Sequence, residues 1–391
     1  MIHLCYIIWK FKSPRKFTLM GGAENQLLKF INNIGDDSNK HVTIITKQTK
    51  GDLKEETIFP NKKIIRIKST NIPIISMLIF MFLLLFTIIK INRKKRINLI
   101  HVPLPAIFIS ILFLIRYFLK IPIITRVAKD ELNPSDKHGL WLVDRLIVRL
   151  FMLKLDGIQT LNPISYNMAI KSGYPSMKLF LISNGTIIPL NYRRYDQLTN
   201  NIVYIGAMRF FPEKSKYEQK NLLFLIEAFY ELHKIKPKLK LIMVGDGNYR
   251  SILAKKVKEL SLNDAVIFKG YQTNIGKYLL EADIFVNPSH LEGMLNTVVE
   301  ALASGVFVLC SDIPEHRYLI RNNENGYLFN HRERQDFVEK VIAFYKKPDA
   351  FKEIAKTGRE FAKQNLSVNK TTKHVLEMYN SVYKMFCETI N

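Results

Sequence analysis

The chain has 391 residues, enough for two α/β domains of ordinary size, each with its own core. Its 48% hydrophobic and 24% charged residues exclude a disordered chain. Its three cysteines, Cys5, Cys310 and Cys387, are too widely spaced for a zinc pattern or a disulfide framework, and the net charge of +24 calls for an anionic partner.

The opening MIHLCYIIWKF has a short apolar run and no small-residue cleavage pattern. It reads as a first strand over residues 4–9 instead of a signal peptide, and the expected location is cytoplasmic. Gly21-Gly22-Ala23-Glu24 separates that strand from the helical NQLLKFINNI. A glycine pair there lets backbone N–H groups approach a ligand, although a tight turn needs the same residues. VTIITK and KIIRIK are further strands, and residues 72–91 are almost wholly apolar.

About 20 apolar residues can cross a bilayer. This stretch, however, ends in KINRKKR and runs directly into strand-like NLIHV, so it occupies the helix slot of a strand-helix-strand alternation. A second apolar stretch, residues 104–119, is broken by Arg116 and leads into IPIITRV. If both spanned, the intervening strands would lie in lipid or in very short loops with unsatisfied backbone groups. A peripheral contact with the inner face of the cytoplasmic membrane is the expectation, with a spanning segment and an internal core as the alternatives. Lys90, Arg93, Lys94, Lys95 and Arg96 form a solvated helix end or, beside so much apolar surface, an attachment to anionic lipid. No nucleic-acid-binding motif accompanies the charge, so no nucleic-acid partner is expected.

His101 ends a predicted parallel strand, where open α/β sheets gather ligands, and both a structural and a functional role fit it. TRVAKDELNPSDKHG follows, with Arg126, Lys129 and Asp130; LFLISNGTIIPLN then closes the first domain, with a hinge expected over residues 190–200. The second domain opens with IVYIGAMRFFPEKSKYEQKNLLFLIEAF, a strand, a glycine turn and an amphipathic helix. LKLIMVGDGNYR adds a strand and the turn Gly245-Asp246-Gly247. The strand in ADIFVNPS breaks at Pro288 and Ser289, and a helix follows, with Asn296 or Thr297 as its expected cap and Gly305 as its stop. Glu292 therefore falls in the loop before that helix and Glu300 in its second turn. The unpaired N–H groups of the first turn favour a phosphate. An isolated pair of glutamates at this spacing is also what two surface charges look like.

The stretch EGMLNTVVEALASGVFV, with LIMVGDGNYRSIL, VIFKGY and DIPEHRYLI, resembles the family-4 (group 1) retaining glycosyltransferases of the GT-B fold. The resemblance covers most of the chain and is strong in the second half. Leu295 and Phe307 stand where the family pattern has prolines, Pro103 where it often has a second histidine, and the usual Asp after the Asn-Gly turn is missing. The resemblance implies an α/β chain of two Rossmann-like domains facing a cleft: residues 1–195 for the acceptor, 196–370 for the nucleotide sugar, and a C-terminal helix, 371–391, crossing back to the first domain. It implies sugar transfer with retention from a nucleotide-sugar donor to a lipid-linked or saccharide acceptor in lipopolysaccharide, capsule or related polysaccharide biosynthesis.

The family pattern casts Glu292 and His101 as catalytic. Arg209 and Lys220 would meet the donor diphosphate, with Lys214 competing for that role. Glu300 would hold the ribose, and Gly21, Gly22, Met294, Leu295, Asn296 and Thr297 would line the donor site. Neither a metal nor a further cofactor is expected. The rival readings are an epimerase of the same fold, a non-catalytic nucleotide-sugar-binding protein and an integral transport component.

Overall fold

A computed structural model describes residues 2–8, 22–35, 39–49, 52–68, 70, 73–103, 109–127, 153–210, 218–293 and 295–390. The chain divides into two compact units, one of Met1–Ser183 with Thr371–Asn391 and the other of Asn184–Lys370. Both are parallel-sheet α/β units with helices on the sheet faces.

The first unit runs β1 (Ile2–Ile8), α1 (Gly22–Asn33), β2 (Lys40–Lys47), β3 (Glu55–Phe59), β4 (Lys62–Ile67), α2 (Pro73–Lys94), β5 (Leu99–Val102), α3 (Ile109–Leu119), β6 (Ile123–Val127), β7 (Gly157–Thr160), α4 (Pro163–Lys171) and β8 (Leu179–Leu181). Its strands lie in the order β3-β4-β2-β1-β5-β6-β7-β8, parallel throughout except for the β3 and β4 pair at one edge. Alternation along β1 feeds two cores. Cys5 and Ile7 join Phe80, Leu84 and Ile88 of α2 and Leu112 and Ile115 of α3. Leu4, Tyr6 and Ile8 join Leu27, Phe30, Ile31 and Ile34 on the opposite face. A strand covered on both faces has no room for polar alternation, which is why these runs read as continuous apolar sequence.

The second unit runs β9 (Asn201–Ile205), α5 (Leu222–Ile235), β10 (Lys240–Val244), α6 (Arg250–Glu259), β11 (Val266–Gly270), α7 (Gly276–Leu280), β12 (Ile284–Asn287), α8 (Asn296–Ala303), β13 (Phe307–Ser311), α9 (Pro314–Leu319), β14 (Tyr327–Phe329), α10 (Arg334–Lys346) and α11 (Pro348–Asn365). Its sheet is parallel, in the order β11-β10-β9-β12-β13-β14. The order reverses between β9 and β12, and the carboxyl ends of the strands flanking such a switch point form the crevice where ligands bind. In the first unit the reversal falls between β1 and β5, at whose end His101 lies.

The last helix, α12 (Val368–Ile390), belongs from Thr371 onward to the first unit. Val375, Met378, Tyr379 and Val382 recur at helical spacing and enter the core beside α1. The boundary between the units falls at Ser183, earlier than the position 195 expected from the sequence. Residues 193–200 are bonded into the second unit: Arg193 pairs with Asp283 at 2.8 Å, and the N–H groups of Thr199 and Asn200 donate to the same carboxylate.

Candidate functional site

Two loops at the carboxyl end of the second sheet pack backbone against backbone. A Cβ on Gly245, whose φ is +139°, would fall 1.9 Å from the Gly206 carbonyl oxygen, and one on Gly247 would fall 2.1 Å from that of Met208. Only glycine permits this approach. The Met208 N–H donates to the Asp246 carbonyl at 3.0 Å, and the side-chain amide of Asn248 brackets the backbone of Phe210. Arg209 is an exposed residue with its stem against Gly247.

The turn before α5 is built around Asn221, in the left-handed region at φ +54°, a conformation that asparagine tolerates. Both carboxylate oxygens of Glu218 accept from the Leu222 N–H at 2.9 Å, satisfying a helix donor that has no intrahelical partner. Burial pushes Glu218 up to about 7, against the lowering effect of these hydrogen bonds. Gln219 stitches the turn to the loop after β12: its carbonyl accepts from the His290 N–H, and its side chain donates to the Leu291 carbonyl, both at 2.9 Å.

That stitching places Lys220 on Glu292. The ammonium donates to both carboxylate oxygens, at 2.7 and 2.9 Å. Glu292 is 5% exposed, and its Oε1 also accepts from Asn287 Nδ2 at 3.1 Å and from the Ser289 hydroxyl at 2.7 Å. Burial alone raises its pKa; the charge and hydrogen bonds of Lys220, with the bond from Ser289, outweigh it and hold the carboxyl below its usual range. Below this carboxylate the Ser311 hydroxyl donates to the Ser289 carbonyl at 2.5 Å, and His316 sits against Ser311.

The helix that follows Glu292 differs from expectation at its start. Its N-cap residue is Leu295, which has no side chain able to cap, while Asn296 is already helical and its Oδ1 accepts from Asn184 Nδ2 at 2.8 Å. Leu295 makes no side-chain capping bond to α8. Glu300 and Thr297 are half-buried on this helix, and Gly305, at φ +70°, follows its end as expected.

In the first unit, His101 is 4% exposed, its Nδ1 2.7 Å from the Tyr379 hydroxyl, which itself bonds the Tyr6 hydroxyl. Burial, with Arg126 nearby, lowers His101 to about 3, so the ring is neutral. The His101 assignment therefore rests on Nε2 alone, a buried atom without a partner. Gly22 opens α1; Gly21, Lys129, Asp130, Lys214 and Met294 lie outside the described residues. Among the described residues, no three His, Cys, Asp or Glu side chains group closely enough to hold a metal ion.

Lys220 and Glu292, assigned to different parts of the donor, are the predicted residues that the fold joins directly. Asn287, Ser289, Ser311 and His316 were not singled out by the sequence. For Asn287 and Ser311 a signal was available: polar residues at the carboxyl ends of the otherwise apolar IFVN and FVLCS strands.

Residues 214–361 match the model of the family described as glycosyl transferases group 1. The second unit is a group 1 glycosyl transferase domain. The chain is 28% identical over 166 residues to the putative glycosyltransferase EpsD of Bacillus subtilis, 42% of this chain and 43% of that protein. To the alpha-monoglucosyldiacylglycerol synthase of Acholeplasma laidlawii it is 27% identical over 214 residues, covering 54% and 50%. The chain thus spans about half the length of these relatives or less. The structure of Anabaena HepE with UDP-glucose superimposes with a TM-score of 0.75 at 16% identity, covering 97% of this chain and all of that one. The fold is that of the GT-B glycosyltransferases. The matched span contains the positions of Lys220, Glu292 and Glu300, and Arg209 lies before it.

Proposed function

We propose that this protein transfers a sugar from a nucleotide-sugar donor to a lipid-linked or saccharide acceptor in cell-surface polysaccharide biosynthesis, with retention at the anomeric carbon and without a divalent metal. The observation that carries the reading is the Lys220 and Glu292 pair, enclosed beside the switch point of the second sheet. A cation locked on a buried carboxylate does not drift towards solvent. Arg209, Lys220 and the positive end of the α8 dipole supply positive potential where the diphosphate leaves. Negative charge grows there as the glycosidic bond breaks, so these groups favour the transition state over the ground state. Glu292 orients the sugar, Glu300 accepts from ribose hydroxyls, and His101 is proposed as a second catalytic residue. Screening nucleotide sugars for thermal stabilisation, then for transfer and hydrolysis, tests the proposal. Turnover of one donor to a glycoside with the donor's anomeric configuration is expected; an epimerised nucleotide sugar, or binding of none, overturns it.

The acceptor side of the proposal is a membrane. Leu78, Phe82 and Phe86 form an exposed stripe along α2 at four-residue spacing, and Leu114, Tyr117 and Phe118 are exposed on α3. Residues Ser76–Lys94 are long and apolar enough to cross a bilayer, yet only 28% of that window is buried within the protein, where a core helix would be mostly enclosed. The opposite face of α2, with Phe80, Leu84 and Ile88, shares a core with the sheet, which argues for lying on the membrane instead of crossing it. The stripe continues into Lys90, and exposed Arg93, Lys94 and Arg96 follow it, a charge arrangement suited to anionic headgroups on the inner face.

A further inference from the structure

We propose that His316 is a positioning residue for the transfer reaction: acting through Ser311 and Ser289, it fixes the orientation of the Glu292 carboxylate. The inference rests on the glycosyl-transfer reading of the same site.

His316 lies on α9, immediately after β13, and is 0% exposed. Its Nδ1 stands 2.8 Å from the Ser311 carbonyl oxygen and 3.2 Å from the Ser311 hydroxyl. A carbonyl can only accept, so Nδ1 carries the proton and Nε2 is the bare nitrogen. Burial lowers the ring to about 4, which keeps that single neutral tautomer across the physiological range. The Ser311 hydroxyl spends its proton on the Ser289 carbonyl and turns a lone pair to His316. The Ser289 hydroxyl, with a single proton, lies 2.7 Å from Glu292 Oε1 and 2.6 Å from Asn287 Oδ1 and so ties the two side chains together. The bonds from His316 to the Ser311 carbonyl and from the Ser311 hydroxyl to the Ser289 carbonyl thus fix the backbone of the turn that carries the Ser289 hydroxyl and Glu292.

Two further observations separate positioning from packing. Nε2 is buried and has no partner, an unfavourable arrangement that a phenylalanine of similar size would avoid. What the imidazole supplies and phenylalanine lacks is the Nδ1–H. Second, β12 and β13 are in register with Asn287 beside Cys310, so Ser311 is the next residue along and meets the chain where it turns at Pro288 and Ser289 to deliver Glu292. Loss of the relay frees that turn, and misplacement of a reacting group by about 1 Å can cost on the order of 100-fold in rate.

The test compares His316→Phe, which keeps the volume and removes the donor, with His316→Asn, whose amide N–H takes the place of Nδ1–H. Steady-state kinetics with the donor are paired with a 13C titration of labelled glutamate carboxyls, Glu292 being assigned by its loss in Glu292→Gln. His316→Phe should lower kcat about 10-fold or more with the donor KM within about 3-fold, and the Glu292 midpoint should move up. His316→Asn should recover most of both. Ser311→Ala should reproduce the loss, with the double variant no worse than either single one; it carries the test if His316→Phe does not fold. An unchanged kcat and Glu292 midpoint in folded His316→Phe overturns the proposal, as does an equal loss in the Phe and Asn variants. Absence of transfer by the unmodified protein refutes the glycosyl-transfer reading instead, and the Glu292 titration then decides the relay by itself.

Discussion

Replacing Lys220 by alanine should destabilise the second unit in a way that depends on pH. The Glu292 side chain is 4% exposed and that of Lys220 24%, so the carboxylate, not the ammonium, is left stranded. Breaking a buried pair by removing one partner costs about 3–5 kcal/mol. Asn287 and Ser289 still bond Oε1, which places the expected loss near the lower figure. In the unmodified protein the folded pKa of Glu292 lies below its ordinary value, so its stabilising contribution is present above that value and is lost as pH falls through the folded pKa. Without Lys220, burial is the largest remaining influence and lifts the pKa above the unfolded value. The variant should therefore lose about 3 kcal/mol at pH 7.5 and progressively less towards the ordinary carboxylate range, where a protonated Glu292 no longer needs a cation. Urea unfolding followed by far-UV circular dichroism at pH 7.5 and pH 5 reads the difference, and adding Glu292→Gln to Lys220→Ala should recover most of it. A loss that is the same at both pH values, or a double variant as unstable as Lys220→Ala, would refute the reasoning.

Glu300→Ala should weaken donor binding by about 1–3 kcal/mol, because the hydroxyls it accepts from lose their partner; unchanged affinity by calorimetry removes Glu300 from the site. Arg209→Ala should lower kcat more than it raises KM if the guanidinium acts on the leaving diphosphate. Both His101 and His316 are neutral when folded, with pKa values of about 3 and about 4 against 6.5 unfolded. Their depressed values mean that stability is full above about pH 6.5 and falls between there and about pH 4, by on the order of 3 kcal/mol for each ring; a flat profile over that window in urea titrations would contradict the burial argument. Binding to vesicles should require anionic lipid, weaken between about 0.1 M and 1 M salt as the Debye length contracts from about 10 Å to 3 Å, and fall when Arg93, Lys94 and Arg96 become Gln. Retention in membranes through high salt and alkaline washing would show α2 to be spanning.

The strands, the glycine turns and the spacing of Glu292 and Glu300 were legible because they are local: apolar runs, turn chemistry and one helix period. The Lys220 contact with Glu292 joins residues 72 apart, and it depends on the order of the strands, which no single segment encodes. For the same reason Ser311 and His316 passed unremarked, since their relation to Glu292 exists only once β12 and β13 pair. The helix cap was misjudged by one position because Asn296, a strong capping type, is engaged by Asn184, 112 residues earlier. The division of the units after Ser183 was not legible either, since the bonds that gather residues 193–200 into the second unit run to the buried Asp283, 84 residues beyond Thr199.

The return of α12 to the first unit makes that unit discontinuous, with the whole of the second unit inserted between its pieces. During synthesis the ribosome emits the β1 to β8 sheet long before the helix that covers one of its faces. Leu27, Phe30, Ile31 and the outward row of β1 must then wait, without Met378, Tyr379 and Val382, while nearly two hundred further residues are made. The Tyr6 and Tyr379 hydroxyls meet across a separation of 373 residues, about as non-local as a chain of this length allows. The inserted unit has all its strands in one continuous segment and can complete its core first. The nascent first unit is thus the aggregation-prone partner, and expression of a chain cut before Thr371 should yield a soluble second unit fused to a first unit that recruits chaperones.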